Sequence, residues 1–251
     1  MFNDRLSATL LAAGISIGLI AGSAILGHSL ENSRSSDRFV TVRGLAEQDV
    51  TADLAIWPIK VRAAGNVLND VSRSADDARK KVLEFLEKNG IRPESVASQT
   101  VRVQDRQAND YVQAGNAAFR YIVEYTILIR TGEVDNIRKV SQMTDQLVAA
   151  GIVLSSQGNW DANSPQFLFT QLNTIKPAMM ADATKAAREA AKQFAADSGS
   201  TVGVIRRASQ GLFTINDRDR SASGSDSNGQ AWASSPDKKI RVVVTVDYFL
   251  D

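Results

Sequence analysis

The chain has 251 residues, of which 43% are hydrophobic and 23% are charged, so it has the composition of a folded protein and not of a disordered one. Its formal net charge of +1 gives no general field that would attract nucleic acid. It contains no cysteine, which excludes disulfide bonds, zinc–thiolate sites and cysteine nucleophiles.

A long uncharged segment lies near the N-terminus. Residues 6–30 include no Asp, Glu, Lys or Arg and are mostly apolar. A helix of roughly 20 apolar residues spans a membrane, whereas the apolar part of a secretory signal has about 7 to 15 residues. The length therefore predicts an uncleaved transmembrane anchor, with residues 1–5 as a cytoplasmic tail and the C-terminal body exported. A cleaved signal, with Ala21, Gly22 and Ser23 as the cleavage region, is the alternative.

Three glycines recur at every fourth residue of this segment. Gly14, Gly18 and Gly22 would lie along one face of a helix, where a second helix can approach closely because side chains are missing. They are candidate residues for helix packing in the membrane. Glycine is also common in membrane helices in general, and that explanation stays open. The single histidine, His28, has no second histidine to complete a metal site, so no metal is expected.

A short polar tether, residues 31–38, leads to a body that occupies residues 39–251. Alternating apolar residues predict strands, and apolar residues three and four apart predict helices. The patterns form three successive units of two strands and one helix, followed by a final strand pair, which predicts an α+β fold. The units are 39–44, 50–61 and 68–86; 96–103, 119–129 and 134–148; and 152–160, 167–172 and 174–198; the final pair is 202–215 and 239–250.

Two strands of the body carry more specific signals. Pro58 cannot donate a backbone hydrogen bond, so its strand should lie at a sheet edge or be bulged there. The apolar and aromatic residues of 119–129 recur at a spacing of two, which predicts a sheet face packed in the core. Base stacking on this face would need a basic groove, but Arg120, Glu124 and Arg130 on the opposite face have mixed sign.

The segment 216–237 is rich in Ser, Gly and Asp and is predicted to be a long mobile loop. Its acidic residues alternate from Asp217 as in the start of a calcium loop. However, Ala222 stands where such a loop needs Gly, and Asn228 where a bidentate Glu should close the site, so no calcium is expected. The chain also lacks a phosphate-binding loop and a Gly-x-Ser-x-Gly elbow, and no catalytic residue or cofactor is assigned.

Four segments carry a resemblance to a known family. They are Val40–Glu47, the turn Asn89–Ile91, the alanine-rich helix 181–191 running on to Gly199 and Gly203, and the closing strand Val242–Leu250. In this order they resemble the SIMPL domain family, also called DUF541, of bacterial envelope and secreted proteins. The resemblance implies a mixed α/β domain, an envelope location, ring-like or channel-like homo-oligomers in some members and stress tolerance in others. The family has no agreed catalytic residues, so none is carried over.

Together these observations lead to one functional expectation. We expect a non-enzymatic protein anchored in the bacterial cytoplasmic (inner) membrane, with its body in the periplasm, that acts as a homo-oligomeric scaffold or a stress-associated binding protein. Its expected partners are further copies of itself and, through the N-terminal helix, the membrane; no nucleic acid and no cofactor is expected. The alternatives are an envelope hydrolase with an unrecognised carboxylate site, and release into the periplasm after signal cleavage.

Overall fold

The computed structural model describes residue 23 and residues 38–108, 118–155, 163–218 and 235–251. Within these ranges the fold is α+β, with two antiparallel sheets and four α-helices. The strands are β1 (Phe39–Thr51), β2 (Leu54–Gly65), β3 (Val96–Asp105), β4 (Tyr121–Thr131), β5 (Gln166–Leu168), β6 (Val202–Gln210), β7 (Thr214–Asp217) and β8 (Asp237–Leu250). The helices are α1 (Leu68–Lys88), α2 (Val134–Ser141), α3 (Asp145–Ala149) and α4 (Leu172–Asp197), and a 3-10 turn, Pro93–Ser95, precedes β3.

The predicted membrane anchor, residues 6–30, lies outside the described residues except for Ser23. Among the residues that are described, no helix is both long enough and apolar enough to cross a membrane. The anchor and its three glycines, Gly14, Gly18 and Gly22, therefore stay predictions. The same holds for most of the predicted mobile loop, because residues 219–234 are not described, although Asn216 and Asp217 at its start belong to β7.

The body consists of two compact units. Of the described residues, the first contains those from 38 to Ala46 with Ala178–Phe213 and Val242–Asp251, and the second contains those that fall within Glu47–Pro177 and Thr214–Arg241.

In the first unit β8 lies between β1 and β6, and α4 is buried along a stripe of small residues. Ala183, Ala187, Ala191 and Ala195 recur at every fourth position, so they share one helix face, and all four are buried. The sheet contributes a buried valine row from β8. Small side chains on α4 let its backbone approach the sheet closely, as the alanine-rich sequence predicts.

In the second unit the strand order is β3-β4-β2-β5, and the described helices α1 to α3 bury their apolar sides in one core with the sheet. The buried residues of that core include Trp57, Ile59, Val61, Ile127, Ile129, Leu86, Ile137 and Phe167. The predicted core face of residues 119–129 is confirmed from Tyr121 onward, whereas Phe119 precedes β4 and is exposed. In the same unit β7 pairs with the start of β8.

Several predicted boundaries are wrong. The helix predicted over 134–148 is two helices, because Ser141 and Thr144 hydrogen-bond to backbone carbonyls of the preceding turn and so compete with a continuous helix. The strand predicted over 202–215 breaks at Gly211, whose amide donates to the Val243 carbonyl at 2.8 Å. The first strand does not end at residue 44, since alternation continues through a buried Ala46 to the end of β1.

The third predicted unit differs most from the structure. Its second strand shrinks to the three residues of β5, and of its first strand the described part contributes one bridge, between Leu154 and Val61. Its helix begins two residues earlier than predicted, at Leu172, which moves Pro177 from the first turn to the sixth position. Proline removes one helical hydrogen bond at such a position.

Pro58 lies where no described strand pairs with β2 on one side. β5 pairs with β2 as far as Ile56, and the segment 153–155 bonds to β2 from Lys60 onward. Between them the side chain of Asn163 accepts a hydrogen bond from the amide of Lys60 at 2.7 Å. The strand is therefore a local edge at its proline, which agrees with the prediction that a missing amide donor needs an edge or a bulge.

Candidate interaction surface

The second unit has one sheet face that none of its described helices covers. Along β2 the residues Ala55 to Val61 alternate between fully buried and partly exposed, because successive side chains point to opposite faces. The buried set faces α1 to α3. The partly exposed set points to the other face, and the register assigns its neighbours on β4 and β3.

Four cations lie on this face, although Ser155 and Ile122, which also lie there, are buried. The cations are Lys60 and Arg62 of β2, Arg102 of β3 and Arg130 of β4, and they are called the cationic face below. Glu124 of β4 stands directly opposite both Arg62 and Arg102, so the three form one row across the sheet. Within the described chain, Glu124 is the one carboxylate that the register of β2 to β5 assigns to this face, which leaves four positive charges against one negative.

The carboxylate of Glu124 accepts a hydrogen bond from a residue that is not one of the four cations. Its Oε2 accepts a hydrogen bond from the hydroxyl of Ser155 at 2.7 Å, and Ser155 is 2% exposed. Among the described residues, none of the four cations of the cationic face forms a salt bridge. Their charges are thus available to an external anion.

The free edge of β3 is the second feature of this surface. β3 pairs with β4 on one side and with no described strand on the other, so a row of backbone donors and acceptors is unpaired by the sheet. Its side chains Val101 and Val103 are each 53% exposed. They lie on the helix side of the sheet, but the cover of α1 ends at Gln99, where Arg79 donates to the Gln99 amide oxygen at 2.9 Å.

An ion pair fixes the position where β3 ends and β4 begins. Arg120 donates to both carboxylate oxygens of Asp105, the shortest contact being 2.9 Å, and its guanidinium lies 4.8 Å from the ring centre of Tyr121. The hydrogen bonds from Arg120 hold the pKa of Asp105 below its ordinary value. The pair keeps the two strands in register beside the undescribed segment 109–117.

The residues tested as a calcium motif have other partners where they are described. Asp217 accepts hydrogen bonds from the ammonium of Lys238 and the amide of Ser235, and Lys238 is 3% exposed. In the described part of the chain no group of three or more His, Asp or Glu side chains is placed to hold a metal ion. The described residues therefore offer no group of metal ligands beyond the calcium motif considered from the sequence.

The cationic face was not predicted from the sequence, because its charges come from three strands and no single strand shows the excess of positive charge. Along β4 alone, Glu124 and Arg130 have mixed sign, and the excess of positive charge arises when β2 and β3 are placed beside it. The alternating pair Lys60 and Arg62 was a signal of one charged face. Its significance depended on strand order, which the sequence does not show.

The chain matches the model of a known protein family. The model of a family described as SIMPL, a protein of unknown function (DUF541), matches residues 40–248. No curated protein matches the chain. The matched residues include all of β2 to β7 and the surface described above.

Proposed function

The chain belongs to the SIMPL family, and on that premise we propose that it is a non-enzymatic, membrane-anchored protein of the bacterial envelope that acts as a homo-oligomeric scaffold. The observation that carries the proposal is the edge of β3 that no described strand pairs with, together with its exposed Val101 and Val103. The anchor is residues 6–30, whose length and lack of charge suit a membrane span. The body then lies on the periplasmic side of the inner membrane, eight residues of tether away.

An edge such as β3 is a template for pairing with another strand. Proteins that stay monomeric usually protect long edges with Lys, Pro or a short strand, and β3 has ten residues with neither Lys nor Pro. Pairing with a second copy would satisfy the backbone groups and cover Val101 and Val103. Identical copies usually close into symmetric assemblies, so the same edge is expected on both sides of the interface.

The side chains favour one register for such a pair. In an antiparallel pair related by a two-fold axis, centring on Arg102 would place two arginines directly opposite each other, which is unfavourable. Centring on Val101 instead places Val101 opposite Val101 of the second copy and Thr100 opposite Arg102. Each favourable cross-strand pair is worth roughly 0.2–1 kcal/mol, so a lasting oligomer needs the backbone ladder as well.

The test is the mass of the full chain in detergent, measured by light scattering with the detergent subtracted. We expect an oligomer that Val101→Lys/Val103→Lys converts to a smaller species, because charge on an edge blocks pairing. Val148→Lys/Val153→Lys is the matched control, since both valines are exposed away from β3. A monomeric wild type, or an oligomer that the β3 variant leaves intact, would refute assembly through β3.

A second variant separates the body from the membrane helix. Replacing Gly14, Gly18 and Gly22 with Ile should abolish an assembly that depends on close packing of the predicted span. We expect this triple variant to keep its oligomeric state, because the proposed contact lies in the body. Loss of the oligomer in this variant alone would assign assembly to the anchor instead.

We propose no catalytic activity. The hydrolase alternative needs carboxylates free to exchange protons with a substrate. On the candidate interaction surface, Glu124 and Asp105 are held by Ser155 and Arg120. The hydrogen bonds of these two carboxylates therefore do not favour a hydrolase over a scaffold.

A further inference from the structure

We propose that the cationic face binds the anionic headgroup surface of the membrane in which the chain is anchored. The inference rests on the proposed function, because it takes the body to be held beside a bilayer. It concerns Lys60, Arg62, Arg102 and Arg130, of which the scaffold proposal uses only Arg102, and that residue only to set the register of the β3 pair. Its occupant is an anionic phospholipid surface, chosen from the arrangement of charge and apolar groups on the face.

The spacing of the charges suits an extended array of anions. Neighbouring strands lie about 4.8 Å apart, and residues two apart along a strand are separated by about 6.8 Å. Arg62 and Arg102, on either side of β4, are thus about 10 Å apart, and Lys60 lies about 7 Å from Arg62. One small anion would contact only one or two of these groups, whereas a plane of phosphates engages them together.

Apolar side chains lie among the cations. Ile56 stands opposite Arg130, and Leu128 stands opposite Pro58, on the same face and partly exposed. A surface that binds at the boundary of headgroups and acyl chains combines cations with such apolar groups. Binding of single-stranded nucleic acid would instead use aromatic side chains for stacking, and the register assigns none from β2 to β5 to this face.

The tether makes weak contacts effective. Residues 31–38 can extend to at most about 29 Å, at about 3.6 Å per residue. The body would then remain close to the bilayer at a high effective concentration, and contacts that are weak in solution add to the anchor. Glu124 offsets one of the four positive charges, because a hydrogen bond from the neutral hydroxyl of Ser155 leaves its carboxylate charged, and the face keeps an excess of three positive charges.

The experiment uses the full chain in lipid vesicles. Because the chain has no cysteine, Ala64→Cys places a single fluorescent label on the face of the sheet that carries Arg62, away from β3, and Ser74→Cys places one on α1 at the other side of the sheet. The vesicles contain phosphatidylcholine alone or mixed with phosphatidylglycerol, with a small fraction of headgroup spin-labelled lipid. Quenching of the label measures its closeness to the headgroups.

We expect stronger quenching at position 64 in the anionic vesicles, reduced by high salt, and no such increase at position 74. Each Lys or Arg near an anionic surface favours docking by about fivefold, so Arg62→Gln/Arg102→Gln/Arg130→Gln should lower the ratio of docked to undocked body by about a hundredfold. The matched control, Arg73→Gln/Lys80→Gln/Lys88→Gln, removes the same charge from α1 and should dock normally.

Three results would overturn the proposal. The first is equal quenching in the two lipid mixtures, and the second is unchanged docking of the triple Gln variant of the cationic face. The third is binding to polyglutamate in solution without docking on anionic vesicles, which would assign the face to an acidic protein. A separate measurement tests the anchor: if residues 6–30 do not hold the chain in the bilayer, the chain will not sediment with phosphatidylcholine vesicles. In that case, sedimentation of the wild type and the two triple variants with anionic vesicles still decides the proposal.

Discussion

Gly44 of β1 lies directly against the backbone of α4 at Ala183. A Cβ atom built on Gly44 would be 2.9 Å from the carbonyl carbon of Ala183 and 2.5 Å from the amide nitrogen of Ala187. Backbone atoms cannot move aside as a flexible side chain can. Gly44 and the alanine stripe of α4 therefore pack directly against each other in the first unit.

Replacement of Gly44 should destabilise the protein for this reason. We expect Gly44→Ala to lower the free energy of unfolding by about 2 kcal/mol or more, because overpacking of a tight contact costs about 1–3 kcal/mol. Gly132→Ala is the matched control, since its added Cβ would lie 3.5 Å from the nearest atom, an ordinary contact. Urea unfolding measures both, and equal stability of the two variants would contradict the proposed contact.

The buried pair of Lys238 and Asp217 should be sensitive to removal of one partner. Their side chains are 3% and 12% exposed. We expect Lys238→Met to lower the free energy of unfolding by about 3 kcal/mol, because a buried carboxylate loses its cation. Lys238→Met/Asp217→Asn should recover a large part of that loss. If the double variant is less stable than the single one, burial of charge is not the cause.

Asn163 should be required for the edge of β2 beside Pro58. Its side chain accepts from the amide of Lys60 and donates to the carbonyl of Ser155 at 2.7 Å, and its backbone carbonyl accepts from the indole of Trp57 at 2.6 Å. We expect Asn163→Ala to cost about 1–3 kcal/mol, because the Lys60 amide loses its acceptor. Asn163→Asp keeps that acceptor but places a carboxylate oxygen against the Ser155 carbonyl, so it should also lose stability in the same thermal unfolding assay. Wild-type stability of both variants would contradict the role of this side chain.

The ion pair of Asp105 and Arg120 should make stability depend on acid pH. Because Arg120 lowers the pKa of Asp105 in the folded state, the pair stabilises the fold above the ordinary carboxyl pKa of 3.8. That contribution disappears as the pH falls through the lowered pKa. We expect Asp105→Asn to melt below the wild type at neutral pH and the two melting temperatures to converge in acid.

The control for this pair is a double-mutant cycle. Arg120→Gln should reproduce the loss at neutral pH, and Asp105→Asn/Arg120→Gln should lose little more than either single variant. Additive losses would show that the two side chains act independently. A constant difference between wild type and Asp105→Asn at every pH would show that the charge of Asp105 is not involved.

Local patterns predicted much of the second unit. The helix from Leu68 ends beside Gly90, whose φ of 81° is one that glycine adopts without strain. In β4, Ile127 and Ile129 are buried as the apolar spacing of two predicts, although Ile122, on the other face, is buried as well. Membership of the SIMPL family, suggested by four short segments, is confirmed by the match over residues 40–248. These features succeed because each is encoded within a few neighbouring residues.

The sequence by itself determined the α+β class, the family and the long helices, because hydrophobic period and glycine stops act locally. Only the tertiary structure decided that β2 and β3 flank β4, which gathers Arg62 and Arg102 around Glu124 and leaves Val101 and Val103 at an edge that no described strand pairs with. It also decided that Gly44 meets Ala183. Such contacts join residues far apart in the chain, and strand order and register, which set them, depend on how whole elements pack rather than on any local pattern.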